Sequence, residues 1–136
     1  VAASDGFLMT SPLVSYEYVV LRCVPRVDRD EFSNVGVVIH CQEVDYLDCA
    51  FVVDADRLRS LSPDLDLGSV DSTLETICAI CRGEHAPGRP SLETLGQRFG
   101  WLAAPRSTVV QPGPVHGGLT RDPAAELERL LARLVG

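Results

Sequence analysis

The feature that most constrains this chain is a double alternation between Phe32 and Val53. In the run FSNVGVVIHC, Val35, Val37, Ile39 and Cys41 fall on one side of an extended strand, and Asn34, Gly36, Val38 and His40 on the other. After a short turn near Glu43 to Asp45, Leu47, Cys49, Phe51 and Val53 alternate with Tyr46, Asp48, Ala50 and Val52. Two such runs in succession predict a hairpin with one face against a core. A third run, Tyr16 to Val24, is dense in β-branched and aromatic residues and ends at Pro25 and the charged Asp28 to Glu31.

Helical patterns fill the second half. Asp54 is a fair N-cap for a short helix over Ala55 to Leu61, closed by Ser62-Pro63. A longer helix fits Ser69 to Arg82, with Val70, Leu74, Ile77, Cys78 and Cys81 recurring at helical spacing. Gly83 to Pro90 reads as a connector. Ser91 opens a third helix, whose stripe is Leu92, Leu95, Phe99 and Leu102 and which Gly96 and Gly100 weaken. Thr108 to Val110 reads as a short strand. The last helix is the clearest: Asp122 caps it, Pro123 takes its first position, and Leu127, Leu130, Leu131 and Leu134 form its apolar stripe. These elements predict an α+β fold, a mostly antiparallel sheet of three to four strands with helices packed mainly on one face. Residues 1–14 are expected to be a flexible extension, with Met9 as a translation start, and 15–136 a single domain.

Composition bounds the function. The chain has 136 residues, enough for a core without metal or disulfide staples, and 46% of them are hydrophobic. The net charge is −7, from 19 acidic and 12 basic residues, which argues against a nucleic-acid partner. No apolar run reaches the length of a membrane helix, and the first nine residues lack the pattern of a secretory signal, so the expected location is cytoplasmic with no membrane partner. Every basic residue is arginine; without lysine there is no Schiff base and no Walker-type phosphate site. The five cysteines read as buried thiols rather than a disulfide framework. Cys78 and Cys81 lie one helical turn apart with His85 nearby, but a fourth ligand for a metal is missing, so neither metal nor cofactor is expected.

The stretch Trp101 to Pro123 is the candidate ligand site, because a long segment rich in Pro and Gly that carries Arg, His and hydroxyl groups suits a positioned loop. Its candidates are Arg106, Ser107, Gln111, His116 and Thr120, with Gly117-Gly118 leading toward the N-terminus of the last helix, where an anion would find free N–H groups. Asp122 at that helix end counts against an anion there. Secondary candidates are Arg22, Asn34, His40 and Asp48. With the hairpin centred on Val44, His40 and Asp48 become cross-strand neighbours and an acid/base pair. A Ser107–His116–Asp122 triad can be assembled, but no GxSxG elbow surrounds Ser107. No catalytic residue is assigned.

The blocks YEYVVLRCVPRVDRDEFSNVGVVIHC and RFGWLAAPRSTVVQPGPVHGGLTRDPAAELERLLARLV resemble the bacterial family catalogued as domain of unknown function 3037. The shared pattern falls on Glu31, Phe32 and Asn34 to Val37, on Ala104 to Thr108, Gln111, Pro114 to His116, Gly118-Leu119 and Asp122-Pro123. Gly113 and Gly117 depart from it, standing where members often carry a hydroxyl residue and a Thr. The resemblance implies no catalytic residues. It implies a kinase-like protein partner, so one expectation is an accessory or interaction protein, and an open sheet edge makes a homodimer reasonable. The alternative is a small-ligand or phosphate-binding domain, or an enzyme, that uses the segment from Arg106 to Asp122.

Overall fold

The computed structural model describes residues 11–84, 92–106 and 108–136, with only the backbone of Val27. The chain order is β1 (Val14–Arg26), β2 (Glu31–Cys41), β3 (Tyr46–Phe51), α1 (Ala55–Leu61), α2 (Leu67–Cys81), α3 (Leu95–Ala103), β4 (Val110–Pro112), β5 (His116–Thr120) and α4 (Pro123–Leu134). All strand pairings are antiparallel. β1 is the hub: β2 lies on one side of it, with β3 beyond, while β4 and β5 share its other side. The fold is α+β, as the sequence predicts.

The strands need cover on both faces, and the helices divide accordingly. Val19, Leu21, Cys23, Val38, Leu47 and Cys49 point to one face and form a core with Leu58 of α1, Val70, Leu74 and Ile77 of α2, and Phe99 and Leu102 of α3. Val14, Tyr16, Val37, Ile39 and Cys41 point to the other and pack on Leu127 and Leu130 of α4. Three helices thus cover one face and α4 the other. Its side-chain N-cap is Asp122, which accepts from Ala125 N, and Pro123 occupies the first turn.

Two features of the strands depart from simple alternation. A bulge lies between the pairs Leu21↔Gly36 and Arg22↔Asn34. It moves Val35 into the first core, away from Val37 and Ile39 with which the alternation groups it, and leaves Asn34 on the α4 face. There Asn34 Nδ2 donates to Leu134 O at 3.0 Å, and Arg57 Nη1 donates to Val135 O at 2.8 Å, so both bind carbonyls at the C-terminal end of α4. Gly36, in the bulge, is in a tight spot: a Cβ there would lie 2.9 Å from Ala50 O. The segment after Ala104 is also less of a loop than its Pro and Gly content suggests. β4 and β5 run through it because β1 offers an unpaired side to both.

Of the expected extension 1–14, residues 1–10 lie outside the described residues. Ser11 is buried, its carbonyl accepts from Arg121, and Val14 opens β1.

Candidate functional site

A cleft of about 530 Å³ opens on the first face, between α2, the C-terminal end of α3 and β4. Its apolar walls come from Leu21, Val70, Ile77, Ile80, Leu102 and Val110, with Ser69, Thr73, Thr76 and Thr108 supplying hydroxyls. Arg106 and Trp101 complete the lining. The Arg106 guanidinium carbon sits 4.5 Å from the centre of the Trp101 ring. Its Nε donates to Ala104 O at 3.3 Å and its Nη2 to Trp101 O. Burial lowers its pKa from the ordinary guanidinium value, yet an arginine keeps its charge in such surroundings. No acidic residue appears among the described lining residues. The site therefore consists of a fixed cation beside an apolar hollow.

The sequence-derived site residues do not converge on this cleft. Of the loop candidates, Arg106 lines it and Ser107 lies outside the described residues. Gln111 is opposite Arg22 in the sheet and donates to Thr108 O at 2.9 Å, so it fixes the strand approach. His116 is on the other face of the sheet, its ring 5.3 Å from that of Tyr18, which packs against the α4 core. Arg106 and His116 are thus separated by the sheet, and the site expected to join them does not form. Thr120 is buried; its hydroxyl accepts from Asp122 N and donates to Asp122 O, which orders the entry to α4. Asp122 itself caps that helix, and the anion site expected there is taken by its carboxylate.

The secondary candidates also separate. His40 pairs with Leu47 and Asp48 with Ile39, one register step from the expected pairing. The connection is a single 3-10 turn, Gln42–Val44, followed by Asp45 in the left-handed conformation (φ 55°), which shifts the centre of the hairpin by half a residue. The two side chains consequently face opposite ways. His40 is buried and stacks on Phe99, ring centres 5.2 Å apart, while Asp48 accepts from Tyr46 Oη at 3.3 Å. Burial lowers the His40 pKa, against a smaller upward pull from Glu17 and Asp45. Asn34 caps α4. Arg22 lies on the α4 face with its guanidinium 4.3 Å from the centre of the Phe32 ring.

Cys49, Cys78 and Cys81 are buried in the first core, where burial raises the pKa of Cys81 to about 12. Among the described residues no group of three or more His, Cys, Asp and Glu could hold a metal ion; His85 lies outside them.

Two features escaped sequence reasoning. Ser69, Thr73, Thr76 and Ile80 share one side of α2 beside its apolar stripe and line the cleft. Their spacing was a readable signal. A buried network was not: Tyr16 Oη donates to Glu126 Oε2 at 2.9 Å, and Arg129 also donates to that oxygen. Burial pushes the Glu126 carboxyl up, but the hydrogen bonds from Arg129 and Tyr16 outweigh it and hold the pKa below the usual range.

The domain thus combines a sheet covered on both faces with a cation-bearing apolar cleft among its described residues. Residues 18–135 match the model of the family described as proteins of unknown function, DUF3037, and the chain belongs to that family. Nothing among the curated proteins or the solved structures matches the chain. No helix among the described residues is long and apolar enough to cross a membrane.

Proposed function

We propose that this chain is a small-ligand-binding domain whose site is the cleft between α2, α3 and β4, with Arg106 as the polar anchor. One observation carries the reading. A guanidinium stacked on Trp101 and tied to two carbonyls is preorganised beside a hollow of about 530 Å³, within the size range of small-molecule sites. The polar groups of the described lining are one cation and a few hydroxyls, without a base to activate a nucleophile, which suits binding and orientation. The accessory-protein reading rests on the acidic charge, the lack of a complete catalytic set and the kinase-like partner that the resemblance implies.

Trp101 is the only tryptophan in the chain, so its emission reports on the cleft. Titration with 1-anilinonaphthalene-8-sulfonate is expected to give saturable energy transfer from Trp101. Thr76→Phe, which fills the cleft from α2, should remove most of that signal while the circular dichroism spectrum stays the same. Equal binding by a folded Thr76→Phe protein would place the probe elsewhere and defeat the reading.

A further inference from the structure

The cleft's hydrogen-bonding groups narrow the class of ligand, an inference that rests on the cleft being a ligand site. The guanidinium of Arg106 has two edges. The side edge, formed by Nε and one Nη2 hydrogen, is committed to Ala104 O and Trp101 O. The end edge, formed by Nη1 and the second Nη2 hydrogen, meets no acceptor among the described residues. Its two parallel N–H groups match the two oxygens of one carboxylate.

The other polar groups point the same way. The Thr73 hydroxyl donates to Ser69 O at 2.9 Å and the Thr108 hydroxyl to Val110 O at 2.7 Å. The Ser69 N–H is held by Asp66 Oδ1 at 3.1 Å, so the first turn of α2 already has an anionic cap. A sugar or nucleoside needs many donors and acceptors that are free, whereas two of the four lining hydroxyls are engaged and only those of Ser69 and Thr76 remain. A phosphomonoester would bring about two negative charges, whereas Arg106 is the single basic residue among the described lining residues. The remaining wall is aliphatic.

We infer that the cleft takes a monocarboxylate with a hydrocarbon body, its carboxylate on the end edge of Arg106 and its chain or ring along Val70, Ile77, Ile80 and Val110. A medium-chain fatty acid and an alkyl-ring carboxylate share this chemistry.

The test compares octanoate, 1-octanol and octyl phosphate on the full chain at neutral pH, read by Trp101 emission. Octanoate should bind about tenfold or more tightly than 1-octanol, since a charge-assisted hydrogen bond is worth about 1.5–3 kcal/mol. Octyl phosphate should bind no better than octanoate. In Arg106→Ala the preference for octanoate should vanish while 1-octanol binds as before, which shows the cleft still formed; Arg106→Lys should retain only part of the preference. Equal affinity for octanoate and 1-octanol in the unaltered protein overturns the carboxylate assignment and leaves the cleft as a site. Tighter binding of octyl phosphate overturns it likewise. If none of the three binds and 1-anilinonaphthalene-8-sulfonate also fails, the cleft reading falls with it.

Discussion

Two histidines on the strands that flank β1 show how much a side chain's role depends on which face it occupies. His116 is exposed over Tyr18, whereas His40 is buried beneath Phe99. Burial disfavours the charged imidazole, so His40 holds its proton less tightly folded than unfolded, where the ordinary value is 6.5. Above that pH both states carry a neutral ring and the group adds no pH dependence. Below it the unfolded chain takes up a proton that the native state resists, and stability falls as pH drops toward the depressed native value. His40→Phe keeps an aromatic ring on Phe99 and removes the titration. Urea unfolding between about pH 5 and 6.5 should therefore show a shallower loss of stability in the variant than in the unaltered protein. An unchanged slope would mean that His40 titrates normally. The depressed carboxyl of Glu126 adds its own acid-side loss, but in a lower window, below its ordinary 4.5.

At the scale of elements, the junction of β1, β5 and α4 is held by a ring that requires a glycine. Tyr16 reaches Glu126 across the site where a Cβ on Gly118 would lie, 2.6 Å from the phenolic oxygen and 2.7 Å from Cζ. Gly118→Ala should cost about 1–3 kcal/mol through overpacking. In a Tyr16→Ala background, where the ring is absent, the same substitution should cost much less, and urea unfolding of the four proteins measures that coupling. Tyr16→Phe alone should cost about 1–3 kcal/mol by leaving the buried carboxylate short of a donor. Additive effects in the cycle would mean that Gly118 is needed for some other reason. Elements with their own signals were legible in the sequence. The cap at Asp54 and the pattern after it mark α1, and Asp122-Pro123 with the leucine stripe marks α4. The third helix starts later than Ser91, since Thr94 and Gln97 form the capping box that opens it. β5, HGGLT, was not legible: its residues lack alternation, and it is a strand because β1 has a side to pair with. The bulge at Val35 and the half-residue shift at Asp45 were hidden for the same reason. They are settled by pairing across strands, not by local preference.

At the scale of the whole molecule, the sheet is a partition. It puts the Arg106 cleft on the face covered by α1 to α3, and His116, Tyr16 and Glu126 on the face of α4. The composition of the segment from Trp101 to Pro123 draws attention to Arg106, which lines the cleft. The sequence does not show that Arg106 and His116 end on opposite sides of the sheet, nor that α2 builds the other wall of the cleft. In a chain of net charge −7, the described lining of the cleft carries one cation and no acid. Ligand is expected to enter on that side alone. Backbone and methyl NMR of the full chain with increasing octanoate measures this directly. Saturable shifts are expected at Val70, Ile77, Ile80, Trp101 and Val110, with His116, Tyr18 and Leu127 unmoved. Shifts centred on His116 and Tyr18, or none at any concentration up to solubility, would contradict it.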